Sequence, residues 1–430
     1  FNIQNVSEKL IQPLWSKVSF KTGLLSATAN TNGTIRMRHG DLAEVNATVR
    51  MLGVRLADSD GLQPMASSKW IGRFDGAIRK AGEHWGIRMD RFEAAVSVGD
   101  EVAGNFLLKG EVTLGPEHYE ADLRYTELKS VRKDLMRLIR LDRVDQRIVD
   151  LGTLSYIGRT QLYTGGRVGL NGRINLNGLH LRDPHGSFQY SPLDIECDAK
   201  IAVRIRSGVQ WDVNATKIGG NISSGENKRG TFEANGWYLA KEGKGNVGCQ
   251  FKDLDQDMVR PFLEGSMPPE QLHQALVTGN IMMNIDPDAG FTFTGSADVA
   301  GWQVLKPGRE TPSRPLDGTV DFNLNRRRKL LTIRKLAIQL TKTEYARNAL
   351  QLSGWLDFSR VGHVSGRLKM ASESVDLDSI LRALPGIPTS GKKLALDIRY
   401  GLKADKIHWR GLSAEDFNGT LKLRRNETVI

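Results

Sequence analysis

The chain has 430 residues, of which 40% are hydrophobic and 25% charged, a balance that excludes a disordered segment. Lys and Arg outnumber Asp and Glu by 60 to 49, and the resulting charge of +11 favours anionic partners through screened attraction only. No apolar run approaches the roughly 20 residues that a membrane-crossing helix needs, and two cysteines are too few for a disulfide framework.

In chain order, the first element read is a short amphipathic helix near residues 7–15, inside a weakly alternating β-rich segment. A second helix is predicted over 128–148, where Val131, Leu135, Leu138, Leu141, Val144 and Ile148 recur at three- and four-residue spacing. Arg132, Lys133, Arg137, Arg140, Arg143 and Arg147 flank that stripe. Ile174 and Leu176 precede Gly178 in one parity, and Leu179 and Leu181 follow in the other, which predicts a β-bulge at the glycine.

Strict alternation then dominates. Ile201, Val203 and Ile205 share a parity, as do Val209, Trp211, Val213 and Ala215. Successive side chains of a strand point to opposite faces, so period two predicts sheets with one apolar and one wetted face. A helix over 255–276 is expected to be broken by Pro261 and by Pro268-Pro269. Phe291 and Phe293, then Val320, Phe322 and Leu324, resume the alternation, and Leu336, Ile338 and Leu340 repeat it. Between the last two runs, Arg326-Arg327-Arg328-Lys329 reads as a basic hairpin tip. A fourth helix, 377–384, is stopped by Pro385-Gly386, and Leu394, Leu396, Ile398 and Tyr400 close the series.

Each of the last three helices follows a strand through an acidic-leucine turn. The markers Leu128, Leu254 and Leu377 are 126 and 123 residues apart, which points to one supersecondary unit used repeatedly. The expected organisation is an N-terminal β-rich segment (1–109), a β-repeat unit with the basic helix (110–243), a β-repeat unit with the Pro-broken helix (244–364) and a strand-helix-strand unit (365–430). The predicted fold class is mainly β: repeated twisted antiparallel sheets forming an elongated, partly open, taco-like groove, with a few short amphipathic helices.

The segment Gly366-Arg-Leu-Lys-Met-Ala-Ser-Glu-Ser-Val-Asp-Leu-Asp-Ser-Ile-Leu-Arg-Ala-Leu384 resembles the strand, Asp-Leu-Asp, short-helix element of AsmA-like proteins. Residues 393–423 are similar to the closing strand series of that family, and 247–262 and 318–358 follow the same grammar. The resemblance implies a bacterial envelope protein with a β-rich periplasmic body, anchored in the inner membrane through a segment outside this chain. It implies an apolar groove for lipid acyl chains, serving lipid transport between membranes or assembly of the outer membrane. The expected partners are phospholipid or another lipid, the envelope membranes and other envelope proteins, with no nucleic acid.

The residues expected to line the groove are Ile201, Val203, Ile205, Trp211, Val213, Phe291, Phe293, Val320, Phe322, Leu324, Leu394, Leu396 and Ile398. Membrane or phosphate contact is assigned to Arg132, Arg140, Arg143, Arg147, Arg326, Arg327 and Arg328. No enzyme is expected, and no cofactor or metal. The eight histidines are dispersed, and the glycine-rich run Gly219–Gly225 lacks the lysine of a nucleotide site. The alternative reading is a dry-cored structural or interaction β-scaffold, a subunit of a larger envelope or secretion complex. Alternation alone leaves the two open, as it leaves open whether Cys197 and Cys249 are bonded.

Overall fold

The computed structural model describes residues 1–9, 23–38, 41–57, 67–132, 148–181, 190–205, 211–260, 271–306, 308–360, 363–383, 395–424 and 427–429. They fall into two compact units, Phe1–Arg182 with Ser191–Gly220 and Asp183–Tyr190 with Asn221–Ile430. Both units are mainly β.

The first unit holds β1 (Asn2–Ser7), β2 (Gly23–Met37), β3 (Leu42–Ala57), β4 (Ser68–Ala81), β5 (His84–Val98), β6 (Glu101–Leu114), β7 (Tyr119–Arg132), β8 (Ile148–Tyr163), β9 (Arg167–Leu181) and β10 (Leu193–Ile205). It also includes the first part of β11 (Trp211–Ser224). From β1 to β10 every strand pairs antiparallel with the next. Among the described residues no pairing returns from β10 to β1, so this sheet is open.

The second unit continues with β12 (Asn227–Leu239), β13 (Lys244–Asp255), α1 (Gln256–Val259), β14 (Leu272–Asp286), β15 (Gly290–Val304), β16 (Leu316–Arg327), β17 (Leu330–Leu340), β18 (Ala349–Asp357), β19 (His363–Asp376), α2 (Leu377–Ala383), β20 (Ala395–Trp409), β21 (Leu412–Arg424) and β22 (Glu427–Val429). Neighbours are again antiparallel, with one exception. β19 and β20 run parallel, the chain crossing between them through α2 rather than a hairpin.

Three helix expectations are corrected or bounded. Residues 128–132 belong to β7, while 133–147, with Arg140, Arg143 and Arg147, lie outside the described residues. Within 255–276 only α1 is helical, 261–270 lie outside the described residues, and Leu272 opens β14. Near the N-terminus Ser7 ends β1, Glu8 and Lys9 are helical, and 10–15 lie outside the described residues. The expectation for 377–384 is met by α2.

The expected bulge at Gly178 is present. Its register slips opposite Leu193 and Ile195, Gly178 takes φ +67°, and its N–H donates to Asp194 Oδ1 at 2.8 Å. Gly301, 123 residues on, has φ +64° and donates to Asp317 Oδ1 at 2.7 Å. A second recurring bulge sits two residues before the ends of β1, β7 and β13. Asn5, Ser130 and Asp253 have φ of 56°, 52° and 54°, and their N–H groups donate to Asn30 Oδ1, Ser155 Oγ and Thr278 Oγ1 at 2.8, 3.0 and 3.0 Å. Each acceptor lies 25 residues after its donor. The bulge thus recurs every six strands, at β1, β7 and β13; β19, which pairs parallel with β20, does not carry it.

The clustered buried residues gather toward one end of the strands in each unit, while Ala77, Ala121, Tyr156, Ala199 and Val364 are buried elsewhere along them. In the first unit Leu24, Ala27 and Val54 pack with Met51 and Trp70, and Val96, Ala103 and Val131 pack with Trp70, Phe106 and Leu154. In the second, Leu272, Ala275 and Val304 pack with Val259 of α1, and Val375, Ala404 and Ile407 with Leu377 and Ile380 of α2. Asp255 caps α1 by accepting from the N–H groups of Asp257 and Met258. Arg229 holds it there through Asp255 at 2.6 Å and Asp257 at 2.7 Å, with all three side chains at most about one-fifth exposed.

Candidate functional site

Directly paired residues of neighbouring strands share a face, so the registers turn the alternation into rows that cross each sheet. In the first unit Phe106, Leu128, Tyr156, Ile174 and Cys197 form one such row across β6 to β10. A parallel row runs Ile78, Ile87, Val112, Ala121, Leu162, Val168 and Val203 across β4 to β10. Ile201 stands between them, opposite Leu170.

The second unit repeats the arrangement. Cys249, Ile281, Gly295, Phe322, Leu336, Leu352, Met370 and Leu402 are successive partners from β13 to β20. Two residues along, Val247, Met283, Phe293, Leu324, Ile333, Gly354, Leu368 and Tyr400 form the next row. Tyr400 Oη lies 3.0 Å from Met370 Sδ, and burial pushes its phenol up from the usual range.

These rows are apolar without being covered. Most of their side chains are only half-buried; Ile281 is 37% exposed, and Phe291, on the same face two residues from Phe293, is 43% exposed. A face closed by a second sheet would bury such residues as fully as Leu272 or Val304.

The opposite face is polar and self-paired. Arg159 donates from Nε and Nη2 to Asp122 at 2.8 and 2.6 Å, holding that carboxyl below the usual carboxylate range. Arg173 bridges Glu196 and Asp198 at 3.0 and 3.5 Å.

The sequence-predicted lining residues fall into two sets. Phe291, Phe293, Val320, Phe322, Leu324 and Ile398 share the apolar face of the second unit; Ile201 and Val203 share that of the first. Trp211 and Val213 are half-buried on β11, where the intervening Asp212 is the buried residue at 8% exposure. Ile205 and Leu396 lie on β10 and β20 without described side chains, and Leu394 lies outside the described residues. Ile281, Met283, Leu352, Leu368, Met370 and Leu402 also belong to the face, although the sequence reading did not single them out. Their signal was the same alternation, interrupted by serine, glycine and asparagine.

Of the cations assigned to membrane or phosphate, Arg132 ends β7 and pairs with Glu101. Arg326 and Arg327 end β16 and Arg328 enters the turn to β17, all exposed, which is the basic hairpin tip expected. Cys197 and Cys249 are free thiols, both pushed up by burial.

Nucleophile chemistry has one place to be looked for, the cross-strand set Asp376, His408 and Ser413. His408 Nδ1 lies 3.1 Å from Ser413 Oγ, and its ring stacks on Tyr345 at 3.9 Å. The Asp376 carboxylate is spent on the first turn of α2, accepting from Asp378 and Ser379 N–H at 3.0 and 3.3 Å. That geometry is a helix cap beside a stacked ring, not a proton relay. Among the described residues no three His, Cys, Asp or Glu side chains gather as metal ligands, and no helix is long and apolar enough to cross a membrane. Compared with family models, with curated proteins and with solved structures, the chain matches none of them.

Proposed function

We propose that the chain is a non-enzymatic, AsmA-like envelope protein whose apolar sheet faces shield lipid acyl chains during transport between membranes or assembly of the outer membrane. The observation that carries this reading is the uncovered row from Cys249 through Phe322 to Leu402, apolar across eight strands yet only half-buried. Each methylene laid on such a surface gains about 0.8 kcal/mol, so an acyl chain needs no polar anchor to stay. A periplasmic location and membrane attachment belong to the same proposal and rest on the resemblance described above.

The test is native mass spectrometry and lipid extraction of the purified chain. The expected result is co-purified phospholipid, lost in Phe322→Asp and Val203→Asp while the β-sheet circular dichroism is retained. Thr319→Asp, on the polar face beside Gln339, is expected to keep its lipid. A lipid-free chain in which Phe322→Asp unfolds the protein would replace the carrier with a dry-cored scaffold, because an unpaired buried carboxylate is then the cause.

A further inference from the structure

In the second unit one set of strand ends gathers cations and aromatic rings along a single rim. The set consists of the β12–β13, β14–β15, β16–β17 and β18–β19 tips. Arg326, Arg327 and Arg328 are exposed and make no ion pair among the described residues. At the other strand ends Arg229, Arg260 and Arg347 are each paired with a carboxylate, whereas Arg309 and Arg314 make no ion pair among the described residues. Lys241 and Lys244 add charge at the β12–β13 tip, Lys329 at the β16–β17 tip and Arg360 at the β18–β19 tip.

The acids on the rim are Glu242, Asp286, Asp288 and Asp357. Two of them are occupied by their own turns. Asp286 accepts from the N–H groups of Asp288 and Ala289 at 2.8 and 2.9 Å, and Asp357 from that of Ser359 at 2.8 Å.

The tips are also tied to one another. Asn325 Nδ2 donates to Ala289 O at 3.3 Å, linking the β16–β17 tip to the β14–β15 tip. Phe358 N–H donates to Lys329 O at 2.9 Å, and Lys329 Nζ to Ser359 O at 3.4 Å, linking it to the β18–β19 tip. Among these cations stand Trp237, Leu330, Trp355 and Phe358, each 41–42% exposed. Exposed aromatic rings beside lysine and arginine match the headgroup layer of a bilayer, where rings sit at the interface and cations meet phosphate.

We propose that this rim is a docking edge for an anionic phospholipid surface. The inference is independent of lipid carriage by the sheet face, since it concerns headgroups rather than acyl chains. The charge is local, Arg326, Arg327 and Arg328 make no ion pair among the described residues, and the linked β14–β15, β16–β17 and β18–β19 tips present it in one line.

The test is sedimentation of the full chain with vesicles of phosphatidylcholine alone or mixed with phosphatidylglycerol. Binding is expected only with phosphatidylglycerol, and is expected to weaken as salt rises. The combined variant Arg326→Ser, Arg327→Ser, Arg328→Asn and Lys329→Ser should bind at least about tenfold more weakly, since each cation near an anionic surface contributes severalfold. Asn is used at 328 because that residue has φ +53°. If this variant loses its sheet signal, the pair Arg327→Gln and Lys329→Gln serves, with a smaller loss in the same direction. Removing an equal charge from the polar face, with Lys252→Ser, Lys335→Ser, Lys369→Ser and Lys403→Ser, should leave binding unchanged.

Equal binding to both vesicle types, or undiminished binding by the rim variants, would overturn the proposal. So would a loss of the same size in the polar-face control, or a duplex oligonucleotide bound more tightly through the same residues. Co-purified lipid reports separately on the sheet face: rim variants should retain it, and a lipid-free wild type that still sediments leaves the docking edge standing.

Discussion

A Cβ on Gly354 would lie 2.1 Å from the carbonyl oxygen of Arg367, and the residue has φ +141°, so both space and backbone exclude a side chain there. Gly53 makes the useful contrast, with φ +61° but nothing within 4 Å of the same position. Gly354→Ala must push apart β18 and β19 in the middle of the apolar face, and should cost about 2–4 kcal/mol. Gly53→Ala should cost only the left-handed backbone term, about 1–2 kcal/mol. Urea unfolding of the two variants separates these causes, and equal losses would mean that backbone conformation rather than strand approach sets the requirement. A Cβ on Gly110 or Gly236, in β6 and β12, would lie 2.2 or 2.3 Å from Asp122 O or Asn246 O, so the constraint at Gly354 in β18 recurs every six strands.

At the scale of elements, the recurring bulges decide what the sequence could reveal. In Thr278→Val the Asp253 N–H loses its 3.0 Å acceptor, and the bulge that ends β13 should weaken by about 1 kcal/mol. Ser155→Ala should do the same to the β7 bulge, and denaturant titration of either checks it. The same bulges explain the helix misread at 128–132. β7 slips register between Leu123 and Thr126 and again between Leu128 and Val131, so its inward residues fall three apart and imitate a helical period. Slips at Leu272, Gln274 and Leu276 do likewise at the start of β14. Where no bulge intervenes, as at Phe291 and Phe293, period two gave both the strand and its face. The Gly178 bulge was legible because the parity switch lies on the glycine that adopts it. The parallel pairing of β19 with β20 was not, since strand direction leaves no trace in alternation.

For the molecule as a whole, alternation fixes which side of each sheet is apolar but not whether anything covers it. Inward residues of a sandwich and of an open sheet are chosen by the same rule. The difference lies in exposure: Leu272, Val304 and Val375 reach 0–1% at one end of the second sheet, while Ile281 and Phe291 on the apolar face remain 37% and 43% exposed. Such a surface left in water forfeits burial that a bound hydrocarbon would restore, so the folded chain and its lipid should be thermodynamically linked. Under the function proposed here, stripping lipid with a hydrophobic resin should lower Tm by about 5–10 °C, the shift expected for about 2.7 kcal/mol of ligand stabilisation in units of this size. Adding back phospholipid should restore it, and adding glycerophosphocholine, which has the headgroup without the tails, should not. Scanning calorimetry of the three samples decides the matter. Recovery with the tailless headgroup would assign the linkage to a polar contact, and an unchanged Tm after stripping would mean that the rows keep no lipid at all.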